Sequence, residues 1–193
     1  MMTGSNPSTW RSEFIAETGL RTLAEIVAIE LRAGDVVALN GELGAGKTTF
    51  ARALLRALLG DDAAEIPSPT FPLLQSYATP RFAVAHFDLY RLAGEADLAE
   101  LGFDDALAAG VTLIEWPVRA GTALPADRLD ITLSETADPL RRVITLTGLG
   151  GWADRVLRLA ATAQFLQRAC ATCKATPRPA AMRGSTEMAR ARS

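Results

Sequence analysis

The chain has 193 residues, 49% of them apolar and 22% charged, with a formal net charge of −2. That is the ordinary mixture of a folded domain, and the longest apolar runs, Val36–Leu39 and Val111–Ile114, are strand-length, far short of a membrane span. The charge is uneven: from Gln164 onward six basic residues face Glu187 alone, a tail of +5 beside a body of −7, and an acidic body argues against broad contact with nucleic-acid phosphates.

Met1 to Phe14 has no apolar stretch of signal-peptide type, so no secretory leader is expected. With only two cysteines, Cys170 and Cys173, the expected compartment is the cytoplasm. The first 16 residues are expected to be flexible. From Thr18 to Leu31, Leu20, Leu23, Val27 and Leu31 recur at intervals of three and four and predict a helix. Gly34-Asp35 breaks that pattern and leads into the all-apolar strand Val36–Leu39, which reads as buried on both faces in a parallel sheet. A glycine-rich turn follows, then a helix from Lys47 to Leu59 closed by Gly60.

Asp61 to Pro80, with prolines at 67, 69, 72 and 80, is expected to be loop. Phe82–Phe87 predicts a strand ending at Asp88, Asp97–Ala108 a helix, and Val111–Ile114 a strand ending at Glu115. Arg128–Ser134 and Arg142–Thr147 alternate and lie close together, which predicts an antiparallel hairpin at the sheet edge. Trp152–Leu166 predicts a last helix. Residues 165–193 are poor in large apolar side chains and are expected to form a basic, disordered tail. No internal repeat is visible, and one domain over residues 17–164 is expected.

Gly41, Gly46, Lys47 and Thr48 complete the pattern G-x-x-x-x-G-K-[ST] between the strand and the helix that this motif requires. Main-chain N–H groups at a helix N-terminus cradle polyphosphate. Gly41, Gly44 and Gly46 allow close approach, Lys47 reaches the β/γ-phosphates, and Thr48 offers a hydroxyl to Mg²⁺. The chain has 18 arginines but only two lysines, Lys47 and Lys174, so lysine is nearly confined to the place the loop demands it.

Such a site needs a carboxylate at the end of a neighbouring strand, and both Asp88 and Glu115 qualify. Local chemistry leaves open which one serves the metal, and either could instead be a helix cap or a solvated loop charge. His86 reads as a hydrogen-bonded strand histidine, Tyr90 as a packing residue, and Arg91 and Arg119 as solvated surface charges or, as the alternative, charge-stabilising fingers in cis. Trp116 suits packing or partner docking equally. Cys170 and Cys173 have the spacing of half a zinc site or a redox pair, but the only histidine is His86, so no intrachain zinc site is expected and the two read as incidental thiols.

The order Gly-Glu-Leu-Gly-Ala-Gly-Lys-Thr-Thr at 41–49, Ser68-Pro69-Thr70, His86-Phe87-Asp88-Leu89-Tyr90-Arg91-Leu92 and Glu115-Trp116-Pro117 resembles the bacterial TsaE family, also called YjeE, of tRNA threonylcarbamoyladenosine biosynthesis. The similarity spans about Glu17 to Leu159. It implies a P-loop NTPase three-layer sandwich with a mostly parallel sheet and an antiparallel C-terminal hairpin. It also implies an Mg-dependent ATPase of low intrinsic turnover. Such an ATPase works with TsaD and TsaB to sustain threonylcarbamoyl transfer to the adenosine 3′ of the anticodon in tRNAs reading codons that begin with A. tRNA would be met only through that complex, and no membrane is involved.

Carried over by position, Gly41, Leu43, Gly44, Ala45, Gly46, Lys47, Thr48 and Thr49 would bind ATP. Thr48 and Glu115 would hold Mg²⁺, and Lys47, Asp88 and Glu115 would serve hydrolysis. Ser68-Pro69-Thr70 would be a switch loop, and Glu17 and Thr18 would lie on the adenine side. The basic tail has no counterpart in the family pattern. Two other readings stand beside this one. A small-molecule P-loop kinase would carry an arginine-bearing lid, and Ala93–Gly110 contains no arginine. A nonhydrolytic nucleotide switch would need no hydrolytic carboxylate.

Overall fold

In the computed structural model, residues 6–94 and 96–175 are described. β2 (Val36–Asn40) and β5 (Gly110–Glu115) are almost entirely buried, as all-apolar runs require when helices cover both faces of a parallel pair. They lie at the centre of a seven-stranded sheet of order β1-β7-β6-β2-β5-β4-β3. β4 (Ala83–Asp88), β5, β2 and β6 (Arg128–Glu135) run parallel, whereas β3 (Leu74–Ala78), β7 (Arg141–Leu149) and β1 (Ser8–Ile15) are antiparallel to their neighbours. The expected α/β sandwich with its β6–β7 hairpin is therefore present.

One face of the sheet packs against α1 (Ala16–Glu30), α2 (Lys47–Leu59) and α5 (Trp152–Ala175). Leu129, Ile131 and Leu133 of β6 meet Ile144 and Leu146 of β7 on that side, where the period of two places every second residue. The other face carries a smaller core. There Phe87 and Ile114 are covered by α3 (Ala96–Glu100), α4 (Phe103–Ala109) and a 3₁₀ helix, Pro117–Ala123. No helix among the described residues is long and apolar enough to cross a membrane.

Several expectations are corrected. The first 16 residues are not wholly flexible: Ser8–Ile15 forms β1 along the whole of β7, and Trp10 and Phe14 join the main core. The hairpin is consequently not the sheet edge, since β1 covers it. The stretch 61–80 contains β3, which among the described residues is an edge strand paired with β4 alone. The helix expected over 97–108 is two helices, broken where Gly102 takes φ +67°. The tail expected to be disordered from 165 continues α5 to Ala175, so that part is corrected, and the remainder lies outside the described residues. The side chains of Cys170 and Cys173 also lie outside the described ones.

Candidate nucleotide site

The sheet register brings three strand ends level. Leu39 at the end of β2 pairs with Glu115 at the end of β5, and Glu115 pairs with Asp88 at the end of β4. The Gly41–Thr48 turn leaves β2 at this level and enters α2. Gly41 has φ +138°, and a Cβ there would stand 2.4 Å from the Leu133 carbonyl oxygen of β6, so only glycine fits. Gly46, with φ +108°, directly precedes α2.

Thr48 lies in the first turn of α2, and its hydroxyl donates to Glu115 Oε2 at 2.7 Å. The other oxygen, Oε1, lies 3.0 Å from His86 Nε2. His86 is 0% and Glu115 1% exposed, so the carboxylate is buried between a hydroxyl and an imidazole. Among the described residues, the buried His86 Nδ1 has no hydrogen-bond partner. A proton there would leave an unsatisfied donor, so the pattern assigns the Nε2–H tautomer, donating to Glu115. His86 is thus the hydrogen-bonded strand residue expected, and its partner is the strand-end glutamate.

Asp88 is held differently. Thr70 donates to Oδ2 at 2.9 Å, the Tyr90 amide donates to Oδ1 at 3.1 Å, and Ser68 Oγ lies 2.8 Å from Thr70 Oγ1. The Ser68-Pro69-Thr70 segment therefore grips this carboxylate directly. Lys47 reaches over the loop, donating to the carbonyls of Gly41 and Glu42, both at 2.8 Å. Its Nζ also stands 3.7 Å from the centroid of the Trp116 ring. Burial pushes the Lys47 ammonium below its ordinary value, against the opposing pull of the Glu115, Asp88 and Glu42 carboxylates.

Trp116 is held with φ +59°, in the left-handed region that bulky residues rarely occupy, and its ring meets Tyr90 at 4.9 Å between centroids. This turn of backbone aims the indole over the P-loop. The sequence left Trp116 equally suited to packing or to partner docking, and nothing local to it signals a positive φ. Arg142 of β7 was also missed. Its Nε donates to the carbonyl of Ala45 at 3.2 Å, tying the loop to the hairpin.

A cavity of about 300 Å³ collects most of the expected residues: Leu43, Gly44, Gly46, Lys47, Thr48, Thr49, Asp88 and Glu115 line it, with Thr70, Tyr90, Arg91 and Trp116. Gly41 and Ala45 shape the loop from behind. Arg91 reaches the cavity and also stacks on Phe71, its guanidinium carbon 4.5 Å from the ring centroid, whereas Arg119 is a surface residue outside it. Glu17 and Thr18 begin α1 and do not line this cavity; Thr18 is exposed, and the side chain of Glu17 lies outside the described ones. Leu20, two residues further along that helix, comes within 3.5 Å of where a Gly46 Cβ would stand, so the start of α1 borders the loop.

The cavity joins a cationic loop at a helix N-terminus to two buried carboxylates and a hydroxyl, a donor set suited to a triphosphate and a hard divalent cation. Among the described residues no group of three or more histidine, cysteine, aspartate or glutamate side chains could hold a metal by itself. Mg²⁺ in general takes one or two protein oxygens and completes its shell with phosphate and water.

Residues 15–144 match the family model described as threonylcarbamoyl adenosine biosynthesis protein TsaE. The tRNA threonylcarbamoyladenosine biosynthesis protein TsaE of Streptomyces coelicolor is 41% identical, over 69% of this chain and 94% of that one. The Bacillus subtilis protein of the same name is 34% identical, over 73% of this chain and 85% of that one. Among solved structures, the crystal structure of Bacillus subtilis YdiB superposes with a TM-score of 0.67 at 27% identity, covering 84% of this chain and 99% of that one.

Proposed function

The chain belongs to the TsaE family, and we propose that it is the Mg-dependent ATPase of tRNA threonylcarbamoyladenosine biosynthesis, hydrolysing ATP in the cavity between the Gly41–Thr48 loop and the β4 and β5 ends. Its place in that biosynthesis follows from the family; the hydrolytic chemistry is our reading. The observation that carries it is the 2.7 Å contact between Thr48 Oγ1 and Glu115 Oε2, which joins the first turn of the P-loop helix to the end of a neighbouring strand.

In this reading the main-chain amides from Leu43 to Thr49 bind the phosphates, and Lys47 exchanges its contacts with the loop carbonyls and Trp116 for phosphate oxygens. Thr48 and Glu115 would hold Mg²⁺, which when bound supplies neutralisation of charge on the β- and γ-phosphate oxygens. His86 keeps Glu115 turned toward Thr48. Asp88 accepts a hydrogen bond from the attacking water and orients it, while Thr70 fixes the carboxylate that does so. Glu17 and Thr18 border the adenine side. Arg91 is the one arginine lining the cavity among the described residues, and it lies at the rim, stacked on Phe71. Intrinsic turnover is therefore slow, and TsaB and TsaD complete the site in the cytoplasm, bringing tRNA to the chain only through their complex.

The test is ATP turnover by the full-length chain with and without TsaB and TsaD, alongside threonylcarbamoyladenosine in tRNA from a depleted strain. Stimulation by the partners, and recovery of the modified nucleoside with the parent but not with Glu115→Gln, are expected. Fast hydrolysis indifferent to the partners contradicts the reading.

A further inference from the structure

From Ala63 to Thr70 the chain returns toward the sheet with no helix or strand of its own. Two of its carbonyls are nevertheless taken. Arg52 Nε donates to Ile66 O and Arg56 Nε donates to Ala64 O, each at 3.0 Å. The spacings match: residues four apart on a helix advance about 6 Å, and alternate carbonyls of an extended chain recur about every 6.6 Å on one side. Two arginines one turn apart thus grip two carbonyls two residues apart, in antiparallel order.

Thr48, Arg52 and Arg56 lie on one stripe of α2, so the row of side chains that presents the P-loop hydroxyl to Glu115 also holds this segment. Neither guanidinium forms an ion pair among the described residues. Beyond the grip, the Ile66 side chain is anchored in the main core. Pro67-Ser68-Pro69 then supplies two residues of fixed φ in three. Thr70 follows with its bond to Asp88, braced by Ser68. A stiff four-residue arm therefore runs from Ile66 O to the hydroxyl that sets the Asp88 carboxylate.

We propose that Arg52 is a positioning residue: it fixes Thr70, and through Thr70 the Asp88 carboxylate, to the P-loop helix, with Arg56 as a second grip on the same arm. The kinetic consequence rests on the ATPase reading, whereas the structural consequence does not.

The experiment uses the full-length chain as parent, Arg52→Met, Arg52→Lys, Thr70→Val and the Arg52→Met/Thr70→Val double variant. ATP turnover is measured on each, with hydrogen exchange at the Leu73 amide, which donates to the Pro69 carbonyl of the same arm at 2.7 Å. Arg52→Met keeps the aliphatic stem and removes the donor. It should lower kcat about tenfold, the worth of one hydrogen bond, with KM within about twofold of the parent. Arg52→Lys, which still reaches with a donor, should recover part of the loss. The double variant should be no slower than Thr70→Val alone. Exchange at Leu73 should quicken about tenfold in Arg52→Met while the α2 amides stay protected.

Parental kcat with unchanged exchange overturns the proposal, and so does a double variant whose losses multiply. If the parent shows no hydrolysis, the ATPase reading fails by itself, and exchange decides: faster exchange in Arg52→Met supports the grip, unchanged exchange overturns it. Should Arg52→Met not fold, Arg52→Lys carries the same two measurements, with a partial loss expected and parental values contradictory.

Discussion

Replacing His86 with leucine removes the donor 3.0 Å from Glu115 Oε1 and leaves the neighbouring Oε2 on Thr48. Both side chains are at most 1% exposed, so water cannot take over the lost bond. A hydrogen bond to a charged group contributes about 1.5–3 kcal/mol, and a buried acceptor stripped of its donor costs a similar amount. A loss of about 2–3 kcal/mol in unfolding free energy is therefore expected for His86→Leu. For a chain of this size that is a fall in Tm of roughly 4–12 °C.

The assay is denaturant and thermal unfolding of the four corners of a cycle: parent, His86→Leu, Glu115→Gln and the pair. With Glu115 made an uncharged amide, His86→Leu should cost less than about 1 kcal/mol, giving a coupling above about 1 kcal/mol. His86→Gln, which retains an N–H, should recover most of the stability. A His86→Leu protein within about 0.5 kcal/mol of the parent, or one equally destabilised in the Glu115→Gln background, refutes the account of how Glu115 is held.

Gly41→Ala should lower stability by at least about 2 kcal/mol, because φ +138° is strained for alanine and its Cβ would meet the Leu133 carbonyl; unfolding at parental denaturant concentration contradicts this. Trp116 emission should change on saturation with Mg-ATP as Lys47 leaves its ring, and Trp116→Phe should abolish most of the change, leaving the signals of Trp10 and Trp152; a response that survives the substitution is the contrary result. Because burial lowers the Lys47 value from 10.5, the unfolded chain holds a proton that the folded chain has released between the lowered value and 10.5. Stability of the nucleotide-free protein should therefore rise with pH across that alkaline window, and Lys47→Met should lack the rise. Parallel curves for the two proteins contradict it.

The phosphate loop was legible because its information is local: three glycines, a lysine and a threonine between an apolar strand and an amphipathic helix. The central strands were legible for a similar reason, since Val36–Leu39 and Val111–Ile114 are buried on both faces. What escaped depends on partners distant in sequence. β1 has only Trp10 and Phe14, four residues apart, to mark its buried side, and it exists because β7 offers an open edge. β3 is half-exposed, lies in a proline-rich stretch, and is ordered by β4. The two strand-end carboxylates could not be told apart locally; the structure distinguishes them by what each meets, Thr48 and His86 for Glu115, Thr70 for Asp88. The contact of Lys47 with Trp116 depends on a left-handed tryptophan that no spacing rule reveals.

The most direct measurement is isothermal titration of Mg-ATP into the full-length parent and into Lys47→Ala. One saturable site per chain in the parent, with affinity reduced at least about 100-fold in the variant, is expected from the loss of the lysine at the phosphates. Equal heats and equal affinity in the two proteins, or no heat in the parent at saturating Mg-ATP, contradict the assignment of the Gly41–Thr48 loop as the nucleotide site.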